Sequence, residues 1–164
     1  LIGLGHPRIA ILGESKQIST SSNRYSGYRE ALARNGLQLD PGIVYSASGT
    51  RENGLLGIQA VLDVDDPPTA AVCFNDLTAF GAMLGLRHRG REAGADFSIV
   101  GCDDVQEAAQ WYPALTTVKN FQDEMGRRSA EFLIARIADP QAPTRRLLLT
   151  PELVVRGTTA PPKL

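Results

Sequence analysis

The chain has 164 residues, of which 43% are hydrophobic and 21% are charged, a composition typical of one globular domain with a sizeable core. Seventeen basic against eighteen acidic residues give a formal net charge of −1, which excludes the one-sided positive surface that DNA binding requires. The longest apolar runs are too short to cross a bilayer, so we expect no membrane contact.

Short aliphatic and β-branched runs alternate with helical patterns along the chain up to Cys102. The predicted strands are Arg8–Leu12, Gly42–Ser46, Ala70–Phe74 and Ser98–Cys102. The helical patterns between them place on one face Tyr25, Tyr28 and Leu32, then Leu55, Ile58 and Leu62, and then Leu77, Phe80 and Leu84. This alternation predicts an α/β fold, a parallel sheet flanked by helices.

The alternation of strand and helix patterns ends after Cys102, where we expect the chain to leave the sheet. Residues 106–112 can form only a short helix before Pro113, and residues 115–119 resemble an extended link. A longer helix follows and ends near Asp139-Pro140; its apolar face comprises Met125, Ser129, Leu133 and Ile137, with Phe132 beside them. Two short extended runs, residues 145–149 and 152–156, close the fold.

Both cysteines and the first residues carry a simple structural interpretation. Cys73 and Cys102 lie inside apolar runs, which favours reduced thiols packed in a core over a disulfide. Residues 1–6 are typical of the last turn of a helix with its glycine stop, so we expect the polypeptide to begin upstream of Leu1.

Polar residues directly after the predicted strands are the candidates for a binding site, because ligands of open α/β sheets collect at the carboxyl ends of strands. A hydroxyl-rich segment, residues 13–24, follows the first strand and ends at Arg24; Asn75-Asp76 and Asp103-Asp104 follow the third and fourth. Arginine donates in a planar fork, carboxylates accept and asparagine does both, which suits a polyol or another small polar molecule.

Each of these residues also has a structural interpretation. Asp76 fits the N-cap of the following helix, and Asp103 or Asp104 fits the cap of the helix at residue 106. From position alone, Arg24 suits a solvated helix surface equally well, and Asn75 suits a left-handed turn.

Motifs for catalysis, phosphate binding and metal binding do not occur in the sequence. It has neither a Gly-x-Ser-x-Gly elbow nor a phosphate loop, and its two histidines, His6 and His88, do not form a pair at helical spacing. The acidic cluster at residues 63–66 lacks the glycine and distal glutamate of a calcium loop. We therefore expect no enzyme activity, no metal and no cofactor.

Several blocks in a fixed order resemble the effector-binding core of the lac repressor and galactose repressor family of bacterial transcription regulators. The resemblance covers nearly the whole chain, and it is carried by residues 4–13 (LGHPRIAILG), 23–28 (NRYSGY), 68–76 (PTAAVCFND), 98–104 (SIVGCDD), 113–118 (PALTTV) and 151–158 (PELVVRGT).

The resemblance implies a role for five side chains. Arg24 corresponds to the arginine that hydrogen-bonds to the effector hydroxyls. Asp103 corresponds to the acceptor opposite it, and Asn75 to a further polar contact. Thr20, one helical turn before Arg24, and Asn120, at a crossing between lobes, correspond to positions that face the ligand. Two positions depart from the family pattern. Cys102 replaces an aromatic residue, and Gly49 falls where an aromatic side chain often stacks on the ligand. The identity of the effector therefore stays open.

The resemblance also implies a periplasmic-binding-protein-like architecture of type I, with two lobes joined by three crossings. Residues 1–117 and 145–164 would form the C-terminal lobe, and residues 118–144 a crossover and helix of an N-terminal lobe whose main part, like the DNA-binding headpiece, lies outside this sequence. The implied protein is a cytoplasmic, dimeric repressor whose operator binding is controlled by a small polar effector of the sugar class. A periplasmic sugar-binding protein of an ABC transporter shares this fold and is the alternative.

Overall fold

Five parallel strands and one antiparallel strand form a single sheet in the computed structural model, which describes residues 1–14 and 19–163. The strands are β1 (Ile9–Glu14), β2 (Val44–Ser46), β3 (Ala70–Cys73), β4 (Ser98–Asp103), β5 (Thr116–Lys119) and β6 (Glu152–Val154). They lie in the order β2-β1-β3-β4-β5-β6, and every neighbouring pair is parallel except β5 with β6. The predicted α/β architecture and its four predicted strands are confirmed.

Helices follow the strands as the apolar spacing predicts. The α-helices of the described residues are α1 (Ser19–Arg34), α2 (Arg51–Leu62), α3 (Asp76–His88) and α4 (Gln122–Ala138), and short 3-10 helices occupy Ile2–Leu4, Pro41–Ile43 and Gln106–Ala109. The turn at residues 2–4 ends at Gly5, whose φ of 95° is the left-handed conformation that glycine adopts without strain. The glycine stop predicted in the first residues is confirmed.

The expectation that the chain leaves the sheet after Cys102 is wrong for β5. Thr116–Lys119 pairs in parallel register with β4, from Val100 opposite Thr116 to Asp103 opposite Lys119. Its threonines are buried because their polar groups have partners: the hydroxyl of Thr117 donates to Asp76, and the backbone N–H of Thr116 donates to the hydroxyl of Thr158. A buried strand with satisfied threonines lacks the apolar run that marks the others.

The two faces of the sheet are covered unequally. On one face α2 and α3 pack closely together and bury Ile58, Phe80 and Met83 against β1, β3 and β4. On the other face α1 places Tyr28 and Leu32 against β1 and β3. Leu77, which we predicted on the buried face of α3, is 42% exposed, because the close contact with α2 turns a different side of the helix inward.

A groove of about 690 Å³ lies beside α1 on that second face, where no helix of the described residues covers β4 and β5. Its floor is apolar and includes Val100, Val118 and Leu153. Helix α4 buries none of its residues, and Leu133, Ile134 and Ile137 are at least 60% exposed. No helix among the described residues is long and apolar enough to span a membrane.

Candidate functional site

The carboxyl ends of the parallel strands meet at one edge of the sheet, and the candidate residues lie there. The strand order reverses between β1 and β3, which makes this the switch point where open α/β sheets bind ligands. Arg24 comes from α1, Asp103 ends β4, and Asn120 directly follows β5. Sequence positions far apart are therefore brought to one place.

Arg24, Asp103 and Asn120 form a connected cluster at this edge. Nη2 of Arg24 lies 3.4 Å from Oδ1 of Asp103, and Nδ2 of Asn120 donates to the same oxygen at 3.1 Å. The Arg24 side chain is 32% exposed and the Asp103 side chain 23% exposed, so both groups still face solvent. Since Asp103 has a second carboxylate oxygen and a guanidinium has five N–H donors, the cluster retains capacity for a ligand.

Phe74, which follows β3, fixes the orientation of Arg24. Its backbone carbonyl accepts a hydrogen bond from Nη1 of Arg24, and its ring centroid lies 4.6 Å from the guanidinium carbon. Cation–π contacts of this kind contribute about 0.5–2 kcal/mol. The residue types alone do not indicate this role for Phe74, because an aromatic residue at the end of a buried strand usually belongs to the core.

Asn75 and Thr20, the other two candidate residues, lie at the starts of α3 and α1. Asn75 is the N-cap of α3, with its Oδ1 accepting from the backbone N–H of Thr78 at 2.8 Å and its Nδ2 donating to the carbonyl of Gly49 at 2.9 Å. Its φ of −147° is extended, so the left-handed alternative is wrong. Thr20 is exposed in the first turn of α1. Residues 15–18 of the hydroxyl-rich segment lie outside the described residues.

The turn after β4 has an uncommon backbone conformation. Asp103 has a φ of 134° and Asp104 a φ of 55°, and such positions typically cost about 1–3 kcal/mol each for a residue other than glycine. Asp104 forms an ion pair with Arg156 at 2.7 Å. The expectation that Asp103 or Asp104 caps the next helix is wrong: Val105 occupies the N-cap of the 3-10 helix without a side-chain bond, since both carboxylates have partners elsewhere.

Asp76 holds this turn in place, and the N-cap role predicted for it is wrong. It is not an N-cap but the first residue of α3, completely buried. Its Oδ1 accepts from the hydroxyl of Thr117 at 2.5 Å, and its Oδ2 accepts from the backbone N–H of Val105 at 2.9 Å. It therefore connects α3, β5 and the turn that carries Asp103.

Electrostatics at the cluster suit ligand binding better than catalysis. Burial raises the pKa of Asp103 above its usual value, Arg24 opposes the rise, and Asp76 adds to it. Burial also raises the pKa of both thiols, Cys73 and Cys102, which keeps them protonated, the opposite of an activated nucleophile. The cysteines are free and buried, as predicted.

The groove on the sheet face opens onto this cluster at one end. Arg24, Phe74, Cys102 and Asn120 line that end, whereas the rest of the lining is mainly apolar, with Ser21, Tyr28 and Asn35 as its polar members. Much of the 690 Å³ is therefore an uncovered sheet face, and the end at Arg24 carries the charged donor that suits a hydrophilic ligand.

Sequence comparison relates the chain to bacterial repressors. The chain is 35% identical over 156 residues to the ribose operon repressor of Haemophilus influenzae, a match that covers 95% of this chain and 47% of that protein. The chain thus spans about half the length of the relatives it matches. The predicted resemblance to the lac repressor and galactose repressor family is confirmed.

Structural comparison leads to the same group of proteins. A LacI-family regulator from Enterococcus faecium, solved with bound ribose, superposes with a TM-score of 0.92 at 29% identity, over 99% of this chain and 60% of that one. A dimeric lac repressor with a C-terminal deletion superposes with a TM-score of 0.90 at 32% identity, again over 99% and 60%. The family model described as periplasmic binding protein-like domain matches residues 1–159. With this match along nearly its whole length, the chain belongs to the periplasmic binding protein-like domain family.

Proposed function

We propose that this chain is the effector-sensing part of a bacterial transcription regulator, a repressor, and that it binds a sugar or a related polyol at the cluster of Arg24, Asp103 and Asn120. The observation that carries the proposal is the shared contact of Arg24 and Asn120 with one oxygen of Asp103 at the edge of the sheet where the carboxyl ends of the parallel strands meet. Fixed donors beside a fixed acceptor match a pair of neighbouring hydroxyl groups.

Asn75 and Thr20 complete the proposed effector site. Asn75 is half-buried and joined to Gly49, so its contribution is to position the loop around the ligand as well as to offer its amide. Thr20 is exposed on the helix that carries Arg24. Ribose is the first ligand to test, since a relative is named for the ribose operon and a similar structure contains ribose.

The proposed domain division assigns residues 1–117 and 145–164 to a ligand-binding lobe and residues 118–144 to a crossover and helix of a second lobe. Val118 and Lys119 pair with β4 and β6, so the start of the crossover moves to residue 120. The exposed apolar side chains of α4, including Leu133 and Ile137, support this assignment, because a helix with such a surface needs a cover. Ligand between two lobes would favour their closure and so bias a DNA-binding part located elsewhere in the protein.

The same proposal covers partners and location. The regulator would bind operator DNA through that other part, form a homodimer as the dimeric lac repressor does, and work in the cytoplasm without contact to a membrane. The relatives are repressors rather than enzymes, so we propose no enzymatic activity. Their names also favour a regulator over a transport protein.

The test is calorimetric titration of the full-length protein that carries this chain with D-ribose and a panel of other sugars and polyols. Arg24→Ala and Asp103→Ala should each weaken the tightest ligand by about tenfold or more, since hydrogen bonds to charged groups contribute about 1.5–3 kcal/mol. Arg34→Ala is the matched control, because Arg34 lies on the same helix and, within the described part of the chain, forms its ion pair with exposed Glu30.

The Arg34→Ala control distinguishes loss of the proposed binding site from loss of one positive charge on α1. Arg34→Ala should leave the affinity unchanged. The proposed function is refuted if no compound of the panel binds the wild-type protein. It is also refuted if Arg24→Ala binds the ligand as tightly as Arg34→Ala does.

A further inference from the structure

Phe74 stands between the sheet and the proposed site. It is half-buried, it lines the polar end of the groove, and its ring and carbonyl both contact the guanidinium of Arg24. Because the ring touches the group that would hold the ligand hydroxyls, a ligand that reaches Arg24 also meets the phenyl ring.

Gly49 leaves the room that this ring occupies. A Cβ atom at position 49 would lie 2.6 Å from Cδ1 of Phe74 and 2.8 Å from Nδ2 of Asn75, closer than real Cβ contacts allow. The hydrogen bond from Asn75 to the carbonyl of Gly49 holds the two segments at this distance. A side chain at position 49 and an aromatic ring at position 74 therefore compete for one space.

We propose that Phe74 is a specificity-determining residue that forms the aromatic wall of the proposed effector site, in the space that Gly49 leaves open. The inference rests on the proposed function and specifies its ligand class. An aromatic face attracts the C–H groups of a cyclic sugar, whereas the neighbouring Arg24 and Asp103 bind its hydroxyls. The site would thus select a ring with an apolar face over an open-chain polyol with the same hydroxyl groups.

The test compares a cyclic sugar with its ring-opened alditol, D-ribose with ribitol in the first instance, or the corresponding pair for whichever panel sugar binds best. Titration of the full-length protein gives the ratio of the affinity for the sugar to the affinity for the alditol. Phe74→Ala should weaken binding of the sugar by about tenfold and lower this ratio. Phe74→Leu keeps the apolar volume without the aromatic face and should lower the ratio as well.

A control variant distinguishes a ligand contact from the loss of any phenyl ring beside an arginine. Phe132→Ala removes a phenyl ring that also lies near an arginine, Arg145 at 5.9 Å, but on α4, and it should leave the ratio unchanged.

Each outcome decides a different statement. If no sugar binds the wild-type protein, the proposed function fails and the specificity role fails with it. If the wild-type protein binds a sugar but Phe74→Leu retains the wild-type ratio, the specificity role alone is overturned.

Discussion

The carboxylate of Asp76 accepts the hydroxyl of Thr117 at 2.5 Å and thereby joins the first turn of α3 to a strand 41 residues away in the sequence. Its other oxygen accepts from the backbone of Val105, which follows the strained Asp103-Asp104 turn. A buried carboxylate with donors from two elements holds in place the loop that presents Asp103.

Replacing Asp76 with alanine should lower the free energy of unfolding by about 2–4 kcal/mol, because it leaves the buried donors of Thr117 and Val105 without an acceptor. Thr117→Val removes only one donor and should cost about 1 kcal/mol. Urea denaturation of both variants measures the difference. Equal losses in the two variants would contradict the role of Asp76 in holding the turn.

The contact between α2 and α3 depends on glycine on both helices. A Cβ at Gly81 would lie 1.9 Å from the carbonyl oxygen of Arg51, and a Cβ at Gly54 would lie 2.0 Å from that of Thr78. We expect Gly81→Ala to destabilise the protein by about 3 kcal/mol, because the helices must move apart.

Gly126→Ala on α4 is the matched control for this substitution. A Cβ at Gly126 meets no atom within 4 Å, so alanine should stabilise the helix by up to about 1 kcal/mol. Melting temperatures of the two variants should shift in opposite directions. A fall of the same size in both would show that the spacing between α2 and α3 is not the cause.

The ion pair of Arg156 with Asp104 should contribute more than the exposed pairs. The two side chains are only 20% and 12% exposed, and Arg156 also donates to the carbonyl of Leu115 at 2.8 Å. Arg156→Ala should cost about 2–3 kcal/mol, because it leaves a largely buried carboxylate unpaired. Removing Asp104 as well should cost less than the sum of the single changes, which a double-mutant cycle in urea measures; simple additivity would contradict the coupling.

His6 makes stability depend on pH. The ring is 2% exposed, its Nε2 lies 2.9 Å from the carbonyl oxygen of Ala160, and its Nδ1 lies 2.8 Å from the hydroxyl of Thr69. Burial lowers its pKa from the ordinary 6.5, although the bond to Ala160 opposes the change. Below pH 6.5 the unfolded chain therefore binds a proton that the folded protein binds less readily. The free energy of unfolding should thus decrease as the pH falls, by up to about 1.4 kcal/mol per pH unit.

The measurement is the free energy of unfolding between neutral and mildly acidic pH for wild type and His6→Gln. The difference between them isolates His6, because Asp76 and Asp103, whose pKa values burial raises, are present in both. His6→Gln should flatten the acid side of the curve, because it removes the buried imidazole whose pKa is lowered. Parallel curves for wild type and His6→Gln would rule out this contribution.

Local patterns were sufficient to predict β1 to β4 and α1 to α3, because each pairs an apolar period with a turn signal. They were insufficient for β5, where Thr116 and Thr117 are buried and find their partners on Thr158 and Asp76. A polar residue has no local signal for burial when its partner is distant in the sequence.

The same limit applies to the candidate site. Positions at strand ends, with the family resemblance, selected Arg24, Asp103 and Asn120, and the structure brings these three together. Their role in binding stays a prediction, as do those of Asn75 and Thr20. The roles of Asp76 and Phe74 depend on a turn with positive φ and on the space beside Gly49, and neither is visible in the residue types alone.

Residues 120–151 leave and rejoin the sheet at directly opposed positions, since Lys119 at the end of β5 pairs with Glu152 at the start of β6. The two segments that lead to and from α4 are therefore held side by side at the edge of the sheet. Asn120 is the first residue after β5 and contacts Asp103. Helix α4, with 17 residues and a length of about 25 Å, therefore begins two residues after a member of the cluster proposed to bind the effector.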